Sequence, residues 1–358
     1  MKKIGIDVRL TYYRQGGIAE YMRQLTNALA ALAPPYRFHL LHNFRAQETL
    51  AFQRGNYYTP CHHRLEGITL GAEIFPRRFD LLHSPDFIPP LFGARRYVIT
   101  IHDLAFLLYA NIQTADSLRY YAGRIQRAVR QADHIIAVSH TTRDDLIRLL
   151  RVSAEKITVI WEGIHPSFRV LEHPVVELPD DYLLFVGTIE PRKNIPNLLQ
   201  GYAILKSRQK TVPKLVLAGQ KGWLSEESFA AIEGLGLQQD VIWLGGVPFN
   251  ELPALYNRAK ILVYPSLYEG FGFPPLEAMA CGTPTITSDR GALKEIAGEA
   301  ALYVNPDEPE SIANGLQKLL SDESLYQTLR EKGLAHVRQF SWEQTARQTL
   351  AVYEKVLA

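Results

Sequence analysis

Cysteine is nearly absent: Cys61 and Cys281 are the two in 358 residues, and they lie far apart in the chain. That argues against a disulfide-stapled secreted domain and for a reducing compartment. Long apolar runs are missing too, since no stretch offers the roughly eighteen uncharged apolar residues from which a membrane-spanning helix is built. There is little excess charge of either sign. Lys and Arg number 39 against 37 Asp and Glu, a formal net charge of +2, too mild for the basic domain or stripe of a nucleic-acid binder. Any anionic partner must be met by local patches. The opening MKKIGIDVRL carries two lysines but runs straight into a strand with Asp7 and Arg9, without the apolar core and small-residue cleavage site of a signal peptide. These absences lead to an expectation of a cytoplasmic protein, with peripheral attachment at the inner face of the membrane left open and no nucleic-acid partner.

What is present is an ordinary globular composition, 47% hydrophobic and 21% charged, on a chain longer than one core usually organises. Short β-branched runs at 3–10, 79–83, 97–101 and 134–138 read as buried parallel strands, and the stretches 18–32, 117–131 and 141–150 read as the helices between them. After Trp161 the segment HPSFRVLEHPVVELPDD breaks all periodicity with proline and acid, as a connector does. A second series of strands follows at 182–187, 214–219, 240–245, 260–264 and 284–287. Strand-helix alternation in both halves predicts two doubly wound α/β domains. We place the first at 1–170, a linker at 171–181 and the second at 182–340. A last helix, 341–358, is capped by Ser341 and expected to complete the first domain.

The most informative segment is PSLYEGFGFPPLEAMACGTPTI. A strand ends, Gly270, Phe271 and Gly272 form a tight turn, and Pro274 and Pro275 suit the start of a helix. Such a helix N-terminus is a place for a phosphate or diphosphate. Glu269 precedes the turn and Glu277 follows it. Taken alone, Glu269 is a loop residue and Glu277 a helix-dipole partner. In LLFVGTIEPRKN a strand ends at Gly187 and sets Arg192 and Lys193 in the next loop. A planar fork of donors beside a movable point charge is suited to phosphate oxygens that gain charge as a bond breaks.

Three further strand ends carry polar groups. In DVRLTYYRQGGIAEY, Gly16 and Gly17 lie between a strand and a helix, where backbone amides can approach a ligand closely, although the spacing is not GxGxxG. YVITIHDLAF puts His102 and Asp103 at the carboxyl edge of a strand, the ligand-binding edge of open α/β sheets. LLHSPDF places His83 similarly. Ser139 reads as a helix cap. Adjacent Cys61, His62 and His63 cannot easily converge on one ion, and no second ligand pair has suitable spacing, so no metal site is expected. Arg119, Tyr120, Tyr121, Arg124, Arg127 and Arg130 fall on one expected helix, a basic and aromatic face open either to anionic lipid or to solvent.

EGFGFPPLE closely resembles the signature of the retaining glycosyltransferases of family 4, in which two glutamates are separated by seven residues within a glycine- and proline-rich loop. The resemblance extends over nearly the whole chain. It implies the GT-B architecture, two Rossmann-like domains facing across a cleft, with the acceptor on the N-terminal side and the nucleotide-sugar donor on the C-terminal side. It implies that Glu269 contacts hydroxyls of the donor sugar and Glu277 the ribose, and that amides at Gly270, Phe271 and Gly272 approach the diphosphate. Gly16, Gly17 and Gly187 also border the donor. His102 reaches the sugar near the reacting centre, Asp103 orients that neighbourhood, and His83 lines the acceptor side. Many family members carry an arginine directly after the glycine, where this chain has Thr188; Arg192 is expected in its place, with Lys193 beside it.

GTIEPRKN resembles a mannosyltransferase-like subgroup of bacterial group 1 glycosyltransferases. The expected function is therefore transfer of a hexosyl group, mannose from GDP-mannose, to a saccharide or lipid-linked acceptor in surface polysaccharide synthesis. It proceeds with retention and without a metal or cofactor; the catalytic groups are His102, Glu269, Arg192 and Lys193. Two other readings stay open. One is a GT-B nucleotide-sugar epimerase, which needs no acceptor; the other is a non-catalytic two-lobed sugar-binding protein.

Overall fold

The computed structural model describes residues 1–13, 16–110 and 115–358; the side chains of 115–117 and 119 are outside the described set, and with them the expectation for Arg119. Contacts divide the chain into two compact units, Met1–Gly163 with Phe340–Ala358, and Ile164–Gln339.

In the first unit seven strands follow in order: β1 Lys3–Asp7, β2 Arg37–Asn43, β3 Gln53–Tyr57, β4 Phe79–Ser84, β5 Ala94–Ile101, β6 His134–Ala137 and β7 Ile157–Val159. They form one parallel sheet in the order β3-β2-β1-β4-β5-β6-β7. The second unit repeats the plan with β8 Tyr182–Val186, β9 Lys214–Ala218, β10 Val241–Gly245, β11 Ile261–Tyr264, β12 Thr285–Ser288 and β13 Ala301–Val304. Their order is β10-β9-β8-β11-β12-β13, again parallel. Strands such as β8 (YLLFV) and β11 (ILVY) are buried along their full length, because helices cover both faces of a parallel sheet and each face must be apolar.

Each sheet reverses its winding once, between β1 and β4 in the first unit and between β8 and β11 in the second. Connections from the two neighbouring strands then leave to opposite faces. The strands part at their carboxyl ends, and ligands of open α/β sheets bind in the resulting crevice.

Several elements differ from the sequence expectation. β1 stops at Asp7 and the chain turns through a short 3-10 segment, Arg9–Tyr12. β2, β3, β7 and β13 were not anticipated: β2 buries His39 and His42 within its run, β3 is the polar QRGNY at a sheet edge, and β7 and β13 are short. The segment 171–181 is no free linker. Phe168, Val176 and Leu178 pack on the core of the second unit, and Leu171 N donates to Asn257 Oδ1 at 2.8 Å. The division accordingly falls at Gly163, before the segment expected to join the two halves.

The final helix, Trp342–Leu357, lies against helix Gly17–Ala31 and strands β4 to β6 of the first unit. Phe340 stacks on Trp161, and Thr345 Oγ1 donates to the Trp161 carbonyl at 2.8 Å. Gly163 is required there, because a Cβ would come within 2.3 Å of the Trp342 amide nitrogen. Ser341 occupies the N-cap position, but its side chain makes no capping hydrogen bond. Ser139 does cap its helix, accepting from Thr142 N at 3.0 Å.

Candidate active site

In the second unit the carboxyl ends of β8 and β11 bring Arg192, Lys193 and Glu269 together. Lys193 Nζ lies 2.6 Å from Glu269 Oε1, and Arg192 Nη1 lies 2.6 Å from Glu269 Oε2. Tyr264 Oη and Ser266 Oγ donate to the same Oε1, at 2.9 and 2.6 Å. Lys193 also donates to Tyr264 Oη at 2.6 Å. Arg192 spans the loop between two carboxylates, since its Nη2 meets Glu190 Oε1 at 2.8 Å and its Nη1 also donates to the Tyr268 carbonyl at 2.7 Å. Glu190, Lys193 and Glu269 are all buried.

Burial would raise the pKa of Glu269, but Arg192 and then Lys193 outweigh it and hold the carboxyl at about 2. Burial, aided by the charge of Arg192, lowers the pKa of Lys193 against the pull of Glu269 and Glu190. Burial pushes Glu190 above the usual carboxylate range despite Arg192 and Lys193. Glu190, Tyr264 and Ser266 were not among the expected site residues. Glu190 stands inside GTIEPRKN and the other two immediately precede the glutamate loop, so adjacency to the motifs was the available signal.

The loop after Glu269 turns at Gly272, whose φ of 121° favours glycine. Helix Phe273–Ala280 follows with prolines in its first turn. Pro274 and Pro275 lack N–H groups, so the donors its start can offer an anion are the amides of Gly272 and Phe273. Glu277, one turn on, is half-buried and accepts from Tyr256 Oη at 2.7 Å. Gly187, with φ 150°, ends β8 and is followed by Thr188.

In the first unit His102 follows β5. Its Nε2 donates to the Pro85 carbonyl at 2.9 Å, and its Nδ1 lies 2.9 Å from Glu162 Oε1. That second contact is one of charge more than of hydrogen-bond alignment. Tyr21 meets the ring edge to face at 4.9 Å between centroids. Burial works against protonation, yet contact with Glu162 and its charge prevail and raise the pKa of His102 above the ordinary imidazole value. Glu162, also missed in the sequence, sits in WEG directly after β7 and is 1% exposed. With both ring nitrogens facing oxygen acceptors, the protonated form of His102 is favoured. Asp103 Oδ1 accepts from Ala105 N at 2.9 Å and so shapes the turn after β5.

His83 does not line an open surface. It is fully buried, hydrogen-bonded through Nδ1 to Tyr353 Oη at 2.6 Å and through Nε2 to Thr100 Oγ1 at 2.8 Å. Burial lowers its pKa to about 3, so it is a neutral core residue that ties the final helix to the sheet. Gly16 and Gly17 are exposed at the start of helix Gly17–Ala31, with open space around Gly16. The basic and aromatic helix face is largely engaged within its own unit. Tyr120 Oη donates to Glu66 at 2.9 Å, and Arg124 lies over the Tyr120 ring.

Residues 172–336 match the family model of glycosyl transferases group 1, and residues 15–168 that of glycosyltransferase family 4. The chain is 33% identical to the O-antigen chain mannosyltransferase B of Escherichia coli, over 76% of this chain and 74% of that protein. It is 32% identical to the O-antigen chain mannosyltransferase RfbU of Salmonella typhimurium, over 63% of this chain and 61% of that one. The match to the serotype-specific mannosyltransferase WbdA of Escherichia coli spans about a third of that longer chain. Among solved structures, sucrose-phosphate synthase from Thermosynechococcus elongatus superposes with a TM-score of 0.81 at 23% identity, over 99% of both chains. Anabaena HepE in complex with UDP and glucose superposes with a TM-score of 0.79 at 18% identity, over 99% of this chain and all of that one. With both sheets in Rossmann order and both family models matched, the chain belongs to the group 1, family 4 glycosyltransferases and has their GT-B fold.

Proposed function

We propose that this glycosyltransferase moves mannose from GDP-mannose, with retention of configuration and without a metal ion, to a saccharide or lipid-linked saccharide of a surface polysaccharide. The observation that carries the reading is the buried cluster of Arg192 and Lys193 on Glu269 at the β8/β11 switch point. The choice of mannose rests on the O-antigen mannosyltransferases to which the chain is similar.

Transfer breaks the bond between the sugar C1 and the diphosphate oxygen, and the diphosphate leaves with the electron pair. Two fixed cations at a buried site stabilise that developing charge far more than they would in water, and thereby supply what a divalent ion supplies elsewhere. Glu269, kept ionised, accepts from donor-sugar hydroxyls through Oε2, its less occupied oxygen. Glu277 holds the ribose. His102, whose protonated form Glu162 favours, faces the reacting sugar. The acceptor hydroxyl attacks C1 on the face that the diphosphate leaves, and its proton passes to a phosphate oxygen.

Calorimetric titration with GDP-mannose, GDP, UDP-glucose and dTDP-rhamnose in a chelating buffer tests the donor. GDP-mannose should bind and GDP should compete with it. Preference for a uridine or thymidine donor would overturn the mannose assignment. NMR of the product fixes the anomeric outcome, and an inverted linkage would remove the same-face mechanism.

A further inference from the structure

Two loops carry the charged cluster: the turn after β8 that holds Arg192 and Lys193, and the loop after β11 that holds Glu269. Ion pairs alone do not fix their spacing, because long, rotamer-rich side chains keep a contact while the backbones drift. Asn194 joins the two loops at the level of the backbone. Its amide N–H closes the 3-10 turn Pro191–Lys193 on the Pro191 carbonyl at 3.0 Å, and its carbonyl opens helix Ile195–Arg208 by accepting from Leu198 N at 3.2 Å. The side chain does not cap that helix. It turns away instead, and Nδ2 donates to the Pro265 carbonyl at 3.1 Å and to the Pro306 carbonyl at 2.6 Å. Pro265 directly follows β11 and Pro306 lies just after β13, so one amide ties together three strand ends.

Few residue types serve at this position. The backbone is left-handed, with φ 62° and ψ 36°, a conformation that glycine adopts freely and asparagine tolerates better than most residues. Glycine has no side chain with which to reach the carbonyls, and an aspartate of the same shape, when ionised, brings acceptors where donors are needed. The asparagine amide has two N–H groups, one for each carbonyl. Asn194 is 6% exposed, so both bonds are made away from water, where they are stronger.

Other contacts hold the same turn from its far side. The Arg192 carbonyl accepts from Leu267 N at 2.9 Å and from Ser266 Oγ at 3.1 Å, and the Ser266 carbonyl accepts from Ser288 Oγ of β12 at 2.5 Å. Arg192 and Lys193 are thus bracketed by backbone anchors. We propose that Asn194 is a positioning residue for the diphosphate: its amide sets the distance between the cation turn and the glutamate loop, and so presents Arg192 and Lys193 to the terminal phosphate in a fixed geometry. The inference rests on the transferase reading. Asn194 acts through the two cations, which are effective because they need no rearrangement when charge arrives. Asn197, in the first turn of the helix, donates to the same Pro306 carbonyl at 2.9 Å, which lets the links to Pro265 and Pro306 be tested apart.

Calorimetric titration of the full chain with GDP and GMP tests this, with UDP and UMP run in parallel. The diphosphate carries one phosphate more to the cations, so the ratio of the two affinities reads the cation turn, whereas a general loss of stability weakens both alike. Asn194→Gly keeps the left-handed backbone and removes the amide. Its diphosphate-to-monophosphate ratio should fall about tenfold, the worth of one to two hydrogen bonds, with monophosphate affinity within about twofold of wild type and an unchanged thermal midpoint. Asn194→Ala, which adds backbone strain, should show the same ratio at a lower midpoint. Asn197→Ala should leave the ratio as it is. An unchanged ratio in Asn194→Gly overturns the proposal, and so does an equal fall in Asn197→Ala, a parallel loss of both affinities, or loss of the fold in both Asn194 variants. Failure of all four nucleotides to bind the wild-type protein would instead overturn the transferase reading.

Discussion

At the ends of β8 and β11 the second unit sets two cations against two buried carboxylates, and every charged group of the cluster has an opposite charge within 2.8 Å. At the ends of β1 and β4 the first unit leaves the Ser84 hydroxyl, among the described residues, without a partner, near a single carboxylate–imidazole contact, Asp86 with His62 at 2.7 Å. The strand order around the two switch points is the same, but the furnishings suit different tasks. A leaving group that gains charge within one step needs countercharges already in place. An unpaired buried hydroxyl, by contrast, stabilises no developing charge and costs free energy if it stays dry.

The comparison is most easily broken at Lys193. Lys193→Ala removes a buried partner and leaves Glu269 with a single cation. Removing one member of a buried pair costs about 3–5 kcal/mol of stability, and losing one preorganised countercharge costs about 10²–10³ in turnover. Chemical unfolding and steady-state kinetics together should show both losses. A variant of normal stability and near-normal turnover would mean that the cluster is neither structural nor catalytic.

Glu269→Gln sharpens the same point through pH. The folded pKa of about 2 lies below the ordinary 4.5, so the stabilisation it brings is complete above the unfolded value and is lost as pH falls toward 2. That loss is about 3 kcal/mol. The glutamine variant should show a flatter acid limb in its stability profile.

A smaller effect is expected at His102. Its pKa is raised, so the stability it contributes is fully present below the unfolded value near 6.5 and fades as pH rises through the folded one. Glu162→Gln removes the carboxylate and should bring the imidazole midpoint down, as read by NMR titration, with a fall of about tenfold in turnover near neutral pH. An unchanged midpoint would show that Glu162 does not hold the proton on His102.

The large pattern of the molecule was legible because parallel sheets buried on both faces need short, continuous apolar runs, and most strands of both sheets announced themselves that way. β2 escaped because buried His39 and His42 interrupt its run, and β3 because an edge strand tolerates polar residues. The site divided similarly. Arg192, Lys193 and Glu269 stand in contiguous motifs at strand ends, and folding brings the three side chains together. Glu162 acts on His102, which only folding brings to it, so no spacing pointed there, whereas Glu190 stands inside GTIEPRKN two residues before Arg192 and had only that adjacency to mark it. His83 misled because a strand-end histidine looks the same whether it faces a ligand or, as here, Tyr353 from a helix 270 positions later. Cys61, His62 and His63 were weighed as metal ligands, while the partner that matters to His62 is Asp86, on another strand end.

Glu190 supports the finest test of the contrast between the units. It is paired with Arg192 at 2.8 Å, yet burial carries its pKa above the ordinary range, so it sits closer to protonation than a surface carboxylate. A diphosphate placed against Arg192 and Lys193 adds negative charge to the same cluster, which pushes the pKa of Glu190 further up. Binding should therefore take up protons. Protonated Glu190 would release Arg192 toward the phosphate, turning a neutral cluster into a cationic one at the moment the donor arrives. Calorimetry of GDP binding in buffers of different ionisation enthalpy, between about pH 5 and 7, should report an uptake of less than one proton that disappears in Glu190→Gln. Uptake that persists in Glu190→Gln would assign the proton to another group and leave Arg192 with a fixed partner throughout the reaction.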